Sequence, residues 1–118
     1  MKLSALGLTA GLVLVGVSFA AQGRKSYTGE IMDSACARMG SHDAMMKNDP
    51  NIKTSKDCTV ACVQHGSNYV LFDTATKTIY QLDDQKKPEQ FAGAKVIVTG
   101  TLNNATKTIR VAAIKAAS

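Results

Sequence analysis

The pattern of hydrophobic and polar residues predicts five short β-strands. Residues 94–102 alternate most clearly, with Val96, Val98 and Leu102 on one face and Lys95, Thr99 and Thr101 on the other. An apolar residue at every second position is typical of a strand that buries one face. Four further segments rich in β-branched and aromatic residues are also predicted to be strands: residues 26–33, 69–72, 78–82 and 108–114.

A helical pattern lies between the first two predicted strands. Thr54 and Asp57 have the spacing of a capping box, and Gly66 is suited to a helix C-terminus. Because successive helical residues are ~100° apart, one stripe of this helix carries three reactive side chains. They are Cys58, Cys62 and His65. Residues 34–53 show no sustained period, and we expect a loop there with one helical turn near residues 43–47.

An internal repeat fixes the pairing of four of the strands. The sequence A-T-K-T-I occurs at residues 75–79 and again at 105–109, and each copy follows an Asx residue, Asp73 or Asn103. Asx side chains start turns by accepting hydrogen bonds from the following backbone, so two antiparallel hairpins are expected. Five strands and one short helix predict a mainly β fold, either a small OB-like partly closed barrel or a rolled antiparallel sheet.

The N-terminal residues have the composition of a secretory signal peptide. Lys2 provides a basic start, residues 3–20 are uncharged and mostly apolar, and Ser18 and Ala20 supply the small residues of a cleavage site. The run could also span a bilayer as an uncleaved anchor, but its glycines and small-residue end favour cleavage. We therefore predict a signal peptide over residues 1–20, a single OB-like domain over residues 21–118, a periplasmic or secreted location, and no membrane contact after cleavage.

Charge and motifs narrow the class of function. The chain carries a net charge of +5, but its lysines are scattered, and an exported protein rarely meets nucleic acid. The expected partners are a metal ion or an envelope component, and not nucleic acid. No triad spacing is present, and C-T-V-A-C departs from the redox motif C-x-x-C. We expect a protein without enzymatic activity, with thiol–disulfide exchange at Cys58 and Cys62 as the weaker alternative.

The three cysteines allow a disulfide or a metal site. In an oxidising compartment two would normally pair, which leaves one thiol over. Cys58 and Cys62 are poorly placed to bridge each other, because their Cβ vectors run nearly parallel along a helix. A bridge from Cys36 to either of them would close a loop of more than twenty residues and stabilise the fold by ~3 kcal/mol.

A metal would use all three cysteines. Three thiolates and one imidazole, from His42 or His65, would form a closed tetrahedral site suited to zinc. The softness of these ligands also suits copper(I), for which Met45 and Met46 could add thioethers. The C-x3-C spacing is not a strong zinc pattern, so the residues alone favour the disulfide while leaving both alternatives open.

Several segments resemble a family of small exported bacterial proteins of unknown function. They are G-E-I-M-D-S-A-C-A, G-S-H-D-A-M-M, C-T-V-A-C-V-Q-H-G-S-N-Y-V-L-F-D, F-A-G-A-K-V-I-V-T-G-T-L and the closing T-I-R-V. The resemblance covers nearly all of the chain after the signal peptide and implies an OB-like C-terminal half, but no known activity. It also implies that His42, and not His65, belongs with the cysteines.

These observations lead to two hypotheses of function. In the first, the protein is an exported binding protein whose cluster of Cys36, His42, Cys58 and Cys62 holds zinc or copper, for structure or for metal handling. In the second, it is a disulfide-stapled OB-like module that binds a peptide, glycan or protein partner.

Overall fold

Strands and short helices form the part of the chain that the computed structural model describes, namely Gly11 and residues 23–117. In chain order they are β1 (Arg24–Asp33), α1 (Ser34–Met39), α2 (Asp43–Asn48), α3 (Ser55–Gln64), β2 (Tyr69–Asp73), β3 (Thr78–Leu82), a 3₁₀ turn (Lys87–Phe91), β4 (Lys95–Asn103) and β5 (Thr108–Ala116). Apart from Gly11, the predicted signal peptide lies outside the described residues. Within them, no helix is long and apolar enough to cross a membrane.

The five strands form a closed ring in the order β1-β2-β3-β5-β4. Four of the neighbouring pairs are antiparallel. The fifth is a short parallel contact between β3 and β5, in which Gln81 pairs with Thr108 and Leu82 pairs with Ile109. The predicted mainly β, OB-like fold is therefore confirmed. The sheet is mixed, however, so the alternative of a purely antiparallel rolled sheet is wrong.

The repeated A-T-K-T-I segments form matching turns, as predicted. Oδ1 of Asp73 accepts hydrogen bonds from the two backbone amides that follow in the first copy, and Oδ1 of Asn103 does the same in the second. Lys77 and Lys107, at equivalent positions, both have a positive φ. The two hairpins, β2–β3 and β4–β5, therefore rest on the same local chemistry.

Two hydrophobic cores lie on opposite faces of β1 and β2. The first fills the ring: Ile31, Tyr69, Leu71, Leu82, Ala92, Val96, Val98 and Ile109. The second lies outside the ring: Met32, Cys36, Ala37, Ile52, Cys58, Cys62, Val70 and Phe72. Because strand side chains alternate, Ile31 and Met32 serve different cores. The helices between β1 and β2 cover the outer face, and this second core contains all three cysteines.

The helical content exceeds the prediction of one short helix. The predicted turn near residues 43–47 is α2, but α1 was expected to be a loop. Asp33 caps α1 by accepting a hydrogen bond from the backbone N–H of Cys36 at 2.9 Å, and Gly40 ends it with a φ of 83°. Six residues make fewer than two turns, so no periodic pattern could reveal this helix.

Helix α3 follows the predicted caps and is placed by a glycine. The side chain of Thr54 accepts from the N–H of Asp57 at 3.1 Å. At Gly93, before β4, an added Cβ would lie 2.4 Å from the backbone N of Lys56, and φ is 74°. Only glycine suits such a backbone angle and so close an approach. The start of α3 therefore rests directly on the loop that leads into β4.

Candidate metal centre

Four donor side chains from separate elements converge beside the ring. Asp33 ends β1, Cys36 lies in α1, His42 precedes α2, and Cys58 lies in the first turn of α3. Their ligand atoms all lie within 4.8 Å of one another, and all four residues are buried. We call these four residues the buried centre. It contains three of the four ligands proposed from the sequence, together with one residue that was not proposed as a ligand, Asp33.

The two sulfur atoms of the buried centre have a separation typical of metal ligands. The Sγ atoms of Cys36 and Cys58 are 3.5 Å apart. Two thiolates on one tetrahedral zinc ion, each ~2.3 Å from it, would be about 3.8 Å apart, whereas a disulfide requires ~2.05 Å. Within the described residues all three cysteines are free thiols. The arrangement thus suits a shared cation.

One carboxylate oxygen of Asp33 accepts a hydrogen bond, and the other has no partner among the described residues. Its Oδ2 accepts from the N–H of Cys36 and so caps α1. Its Oδ1 is buried and has no hydrogen-bond partner among the described residues. A buried carboxylate oxygen without a donor is costly, and a cation bound there would remove that cost. The same side chain can therefore begin a helix and ligate a metal.

The imidazole of His42 likewise has one nitrogen with a hydrogen-bond partner and one without. Its Nε2 lies 2.9 Å from Oε2 of Glu30, while its Nδ1 is buried and has no hydrogen-bond partner within the described part of the chain. The hydrogen bond to Glu30 raises the pKa of His42, and burial opposes that effect. With Nε2 donating its proton to the carboxylate, Nδ1 carries the lone pair. Carboxylates orient metal-binding histidines in this manner.

Cys62 is the remaining ligand proposed from the sequence. It lies next to the buried centre but is not one of the four residues whose ligand atoms lie within 4.8 Å of one another. It lies one helical turn after Cys58 and packs in the same outer core, with 8% of its surface exposed. Burial and then the negative charge of Asp33 raise its pKa to about 11. Burial, followed by the hydrogen bond with Cys58, also raises the pKa of Cys36 above its usual range. A metal must therefore displace protons from these thiols at neutral pH.

The other candidate ligands from the sequence, His65, Met45 and Met46, are not members of the buried centre. His65 is exposed at the C-terminal cap of α3 and is not part of the buried centre. Met45 and Met46 are partly buried and pack against the outer core. A cleft of about 230 Å³ opens beside the buried centre, and Glu30, Met32 and His42 are among its lining residues. This cleft links the His42 side of the centre to solvent.

Comparison with known proteins shows that part of the chain matches a family of unknown function. Residues 62–117, just under half of the chain, match the family described as Protein of unknown function (DUF5818). No curated protein and no solved structure matches the chain. The matched region includes Cys62 and strands β2 to β5, while the four residues of the buried centre all precede it.

Proposed function

We propose that this protein is an exported, non-enzymatic binding protein that holds a transition-metal ion at the buried centre. The convergence of one carboxylate, one imidazole and two thiols within 4.8 Å, all buried, carries the proposal. The free Oδ1 of Asp33 and Nδ1 of His42 support it, because each is a buried acceptor that lacks a donor among the described residues. The composition of residues 1–20 supports export.

Zinc is the ion that this donor set suits best. It binds thiolate, imidazole and carboxylate together in four-coordinate geometry, and Asp33, Cys36, His42 and Cys58 provide that mixture. Copper(I) prefers sulfur, so it would replace the Asp33 oxygen with the adjacent Cys62 thiolate. The role of Cys62 therefore distinguishes the two metals.

A closed, structural role follows from the same geometry. Four protein donors saturate a tetrahedral ion and leave no open position for a substrate, which argues against catalysis. The donors also join the end of β1 to all three helices. Small domains commonly need such a staple, because a single core of this size stabilises them only modestly. The metal would thus fasten the helical segment to the ring.

The test is a metal titration of reduced protein, with native mass spectrometry to count bound ions. We expect one zinc ion for the wild type and a loss of affinity of at least about tenfold for Asp33→Asn, which can still cap α1 but lacks the charge. The same loss is expected for His42→Ala. His65→Ala is the matched control and should bind as the wild type does.

Cys62→Ser decides between the two sets of ligands. If this variant still binds zinc, the ligands are Asp33 and the three other residues of the buried centre. If it loses zinc while Asp33→Asn still binds it, the ligands are the three thiolates and His42. Reduced wild-type protein that holds neither zinc nor copper, with all three thiols open to alkylation, would contradict the proposal.

The disulfide-stapled binding module is the second candidate, because the sulfurs of Cys36 and Cys58, 3.5 Å apart, could pair after a small approach. In that case the purified protein would be two hydrogens lighter than its reduced form and would contain no metal. Its one alkylatable thiol would be Cys62. A peptide, glycan or protein partner would then have to bind elsewhere on the surface.

A further inference from the structure

We propose that Cys36 and Cys58 form a redox switch, in which a small peroxide oxidises the pair to a disulfide and thereby releases the metal. The inference rests on the proposed metal-binding function. It makes the metal-bound and disulfide-bonded forms two states of one site. The pair has the required proximity, since the two sulfurs lie 3.5 Å apart and belong to different helices.

Little movement separates the two states. The sulfurs must approach by about 1.5 Å to reach the length of a disulfide bond. Cys36 lies in a helix of only six residues, which ends at Gly40, so a small shift or a rotation of its side chain can supply that approach. Cys58, in the longer α3, provides the fixed partner. The switch therefore requires no rearrangement of the ring.

Disulfide formation removes the strongest ligands of the centre. Cys36 and Cys58 are two of its four donors, and a disulfide sulfur is a poor metal ligand because the thiolate is the form that binds. Only Asp33 and His42 would remain, with Cys62 beside them. One carboxylate and one imidazole do not hold a transition metal tightly when two thiolates are lost. Oxidation should therefore release the ion.

The chemistry balances with hydrogen peroxide as the oxidant. One metal-bound thiolate attacks a peroxide oxygen, the O–O bond breaks, and the sulfur becomes a sulfenic acid while hydroxide leaves and is protonated to water. The second thiolate then attacks the sulfenic sulfur, the S–S bond forms, and a second hydroxide leaves and is protonated. Two electrons pass from the sulfurs to one peroxide, two protons are consumed, and a bound zinc ion would be released as Zn²⁺ with its oxidation state unchanged.

Burial selects for a small oxidant. Cys36 and Cys58 are both 0% exposed, so a bulky disulfide such as glutathione disulfide cannot approach either sulfur in the folded protein. The cleft of about 230 Å³ beside Glu30, Met32 and His42 reaches the His42 side of the centre, and neither cysteine lines it. An oxidant must therefore pass beyond the cleft to reach a sulfur, which favours a molecule of the size of water or peroxide. We therefore expect peroxide, and not an exchanging disulfide, to operate the switch.

The experiment follows zinc-loaded protein during treatment with hydrogen peroxide. A chromophoric chelator reports released zinc, and peptide mapping identifies the cysteine pair. We expect one zinc released for each Cys36–Cys58 link formed, slower release with glutathione disulfide, and recovery of zinc binding after reduction. His65→Ala is the matched control, because it keeps all three cysteines and every candidate ligand and should release zinc as the wild type does.

The outcomes separate this inference from the proposed function. Zinc content before oxidation tests metal binding alone, whereas release and mapping test the switch. Zinc that stays bound after the link forms, release without the link, or a link that uses Cys62 would each overturn the switch while leaving metal binding intact. Equal or faster release by glutathione disulfide would overturn it as well. In His42→Ala, formation of the Cys36–Cys58 link would support the pairing even if zinc binding is lost.

Discussion

Two buried atoms without hydrogen-bond partners among the described residues, Oδ1 of Asp33 and Nδ1 of His42, make the buried centre suited to a cation. In each side chain one polar atom is engaged by a neighbour, Cys36 or Glu30, while the other is buried and has no partner among the described residues. A protein normally pairs nearly all of its buried polar atoms. Two such unpaired atoms, on residues whose ligand atoms lie within 4.8 Å of the same two sulfurs, are therefore the strongest local sign of a cation.

The raised pKa of Cys62, which lies beside the buried centre, predicts an alkaline loss of stability in the reduced, metal-free protein. In the folded chain the pKa of Cys62 is raised from its ordinary value of 9.0 to about 11. A group with a raised pKa in the folded state stabilises the fold below its unfolded pKa, and that stabilisation is lost as the pH rises through its folded pKa. The free energy of unfolding should thus fall between pH 9 and about 11.

Urea unfolding across this pH range measures the effect. The part due to Cys62 should not exceed about 3 kcal/mol, because each pH unit of the window contributes about 1.4 kcal/mol per thiol. Cys62→Ser removes this group and should give a shallower decline. An equally steep decline in that variant would show that Cys62 is not responsible.

At the scale of elements, the position of α3 depends on a contact between two backbones. Gly93 donates its N–H to the carbonyl of Ile31 at 2.8 Å and leaves room for the backbone of Lys56. Helix α3 carries Cys58 and Cys62, so the loop before β4 helps to set the distance between these cysteines and the end of β1. A residue far from the centre in sequence therefore affects its geometry.

Gly93→Ala should destabilise the protein more than Gly40→Ala. Both glycines have a positive φ, and replacement costs about 1–2 kcal/mol for that reason alone. An added Cβ at Gly40 meets no atom within 4 Å, whereas at Gly93 it meets the backbone of Lys56 at 2.4 Å. Denaturant unfolding of the two variants isolates the contribution of the close approach. Equal losses of stability would show that α3 can move away at little cost.

At the scale of the whole molecule, the ring and the helical segment are stabilised differently. The ring has its own core and closes through strand pairing. The helices pack on the outer face of β1 and β2 through a core in which three of the eight buried residues are cysteines. A bound metal would therefore contribute most to the helical segment.

Removal of the metal should loosen residues 34–53 while the ring stays folded. Metal binding at a free concentration of 100 times Kd stabilises a protein by about 2.7 kcal/mol. Hydrogen exchange with and without a chelator should show faster exchange in peptides from α1 and α2 and little change in β4 and β5. His42→Ala should resemble the chelated wild type in both conditions. Uniform acceleration throughout the ring would instead show that the two parts unfold as one unit.

Much of the fold could be predicted because its signals are local. The alternation in residues 94–102 reports a strand, and the turns at Asp73 and Asn103 depend only on side chains bonding to the next few backbone amides. The caps of α3 are local in the same sense. Helix α1 was missed because six residues are too few to show a helical period, although Asp33 and Gly40 were signals of its two ends.

The centre could be predicted only in part. Cys36, His42, Cys58 and Cys62 attract notice as residue types, and the sequence by itself determined that thiols and an imidazole were available. That Asp33 lies buried beside them, with its Oδ1 unpaired among the described residues, depends on the tertiary fold, which no local pattern records. Cys58 meets Cys36 across 22 positions of chain only because α3 and α1 cover the same face of the ring. Only the tertiary structure decided which donors come together. Their positions depend on long-range contacts among β1, the helices and the loop at Gly93.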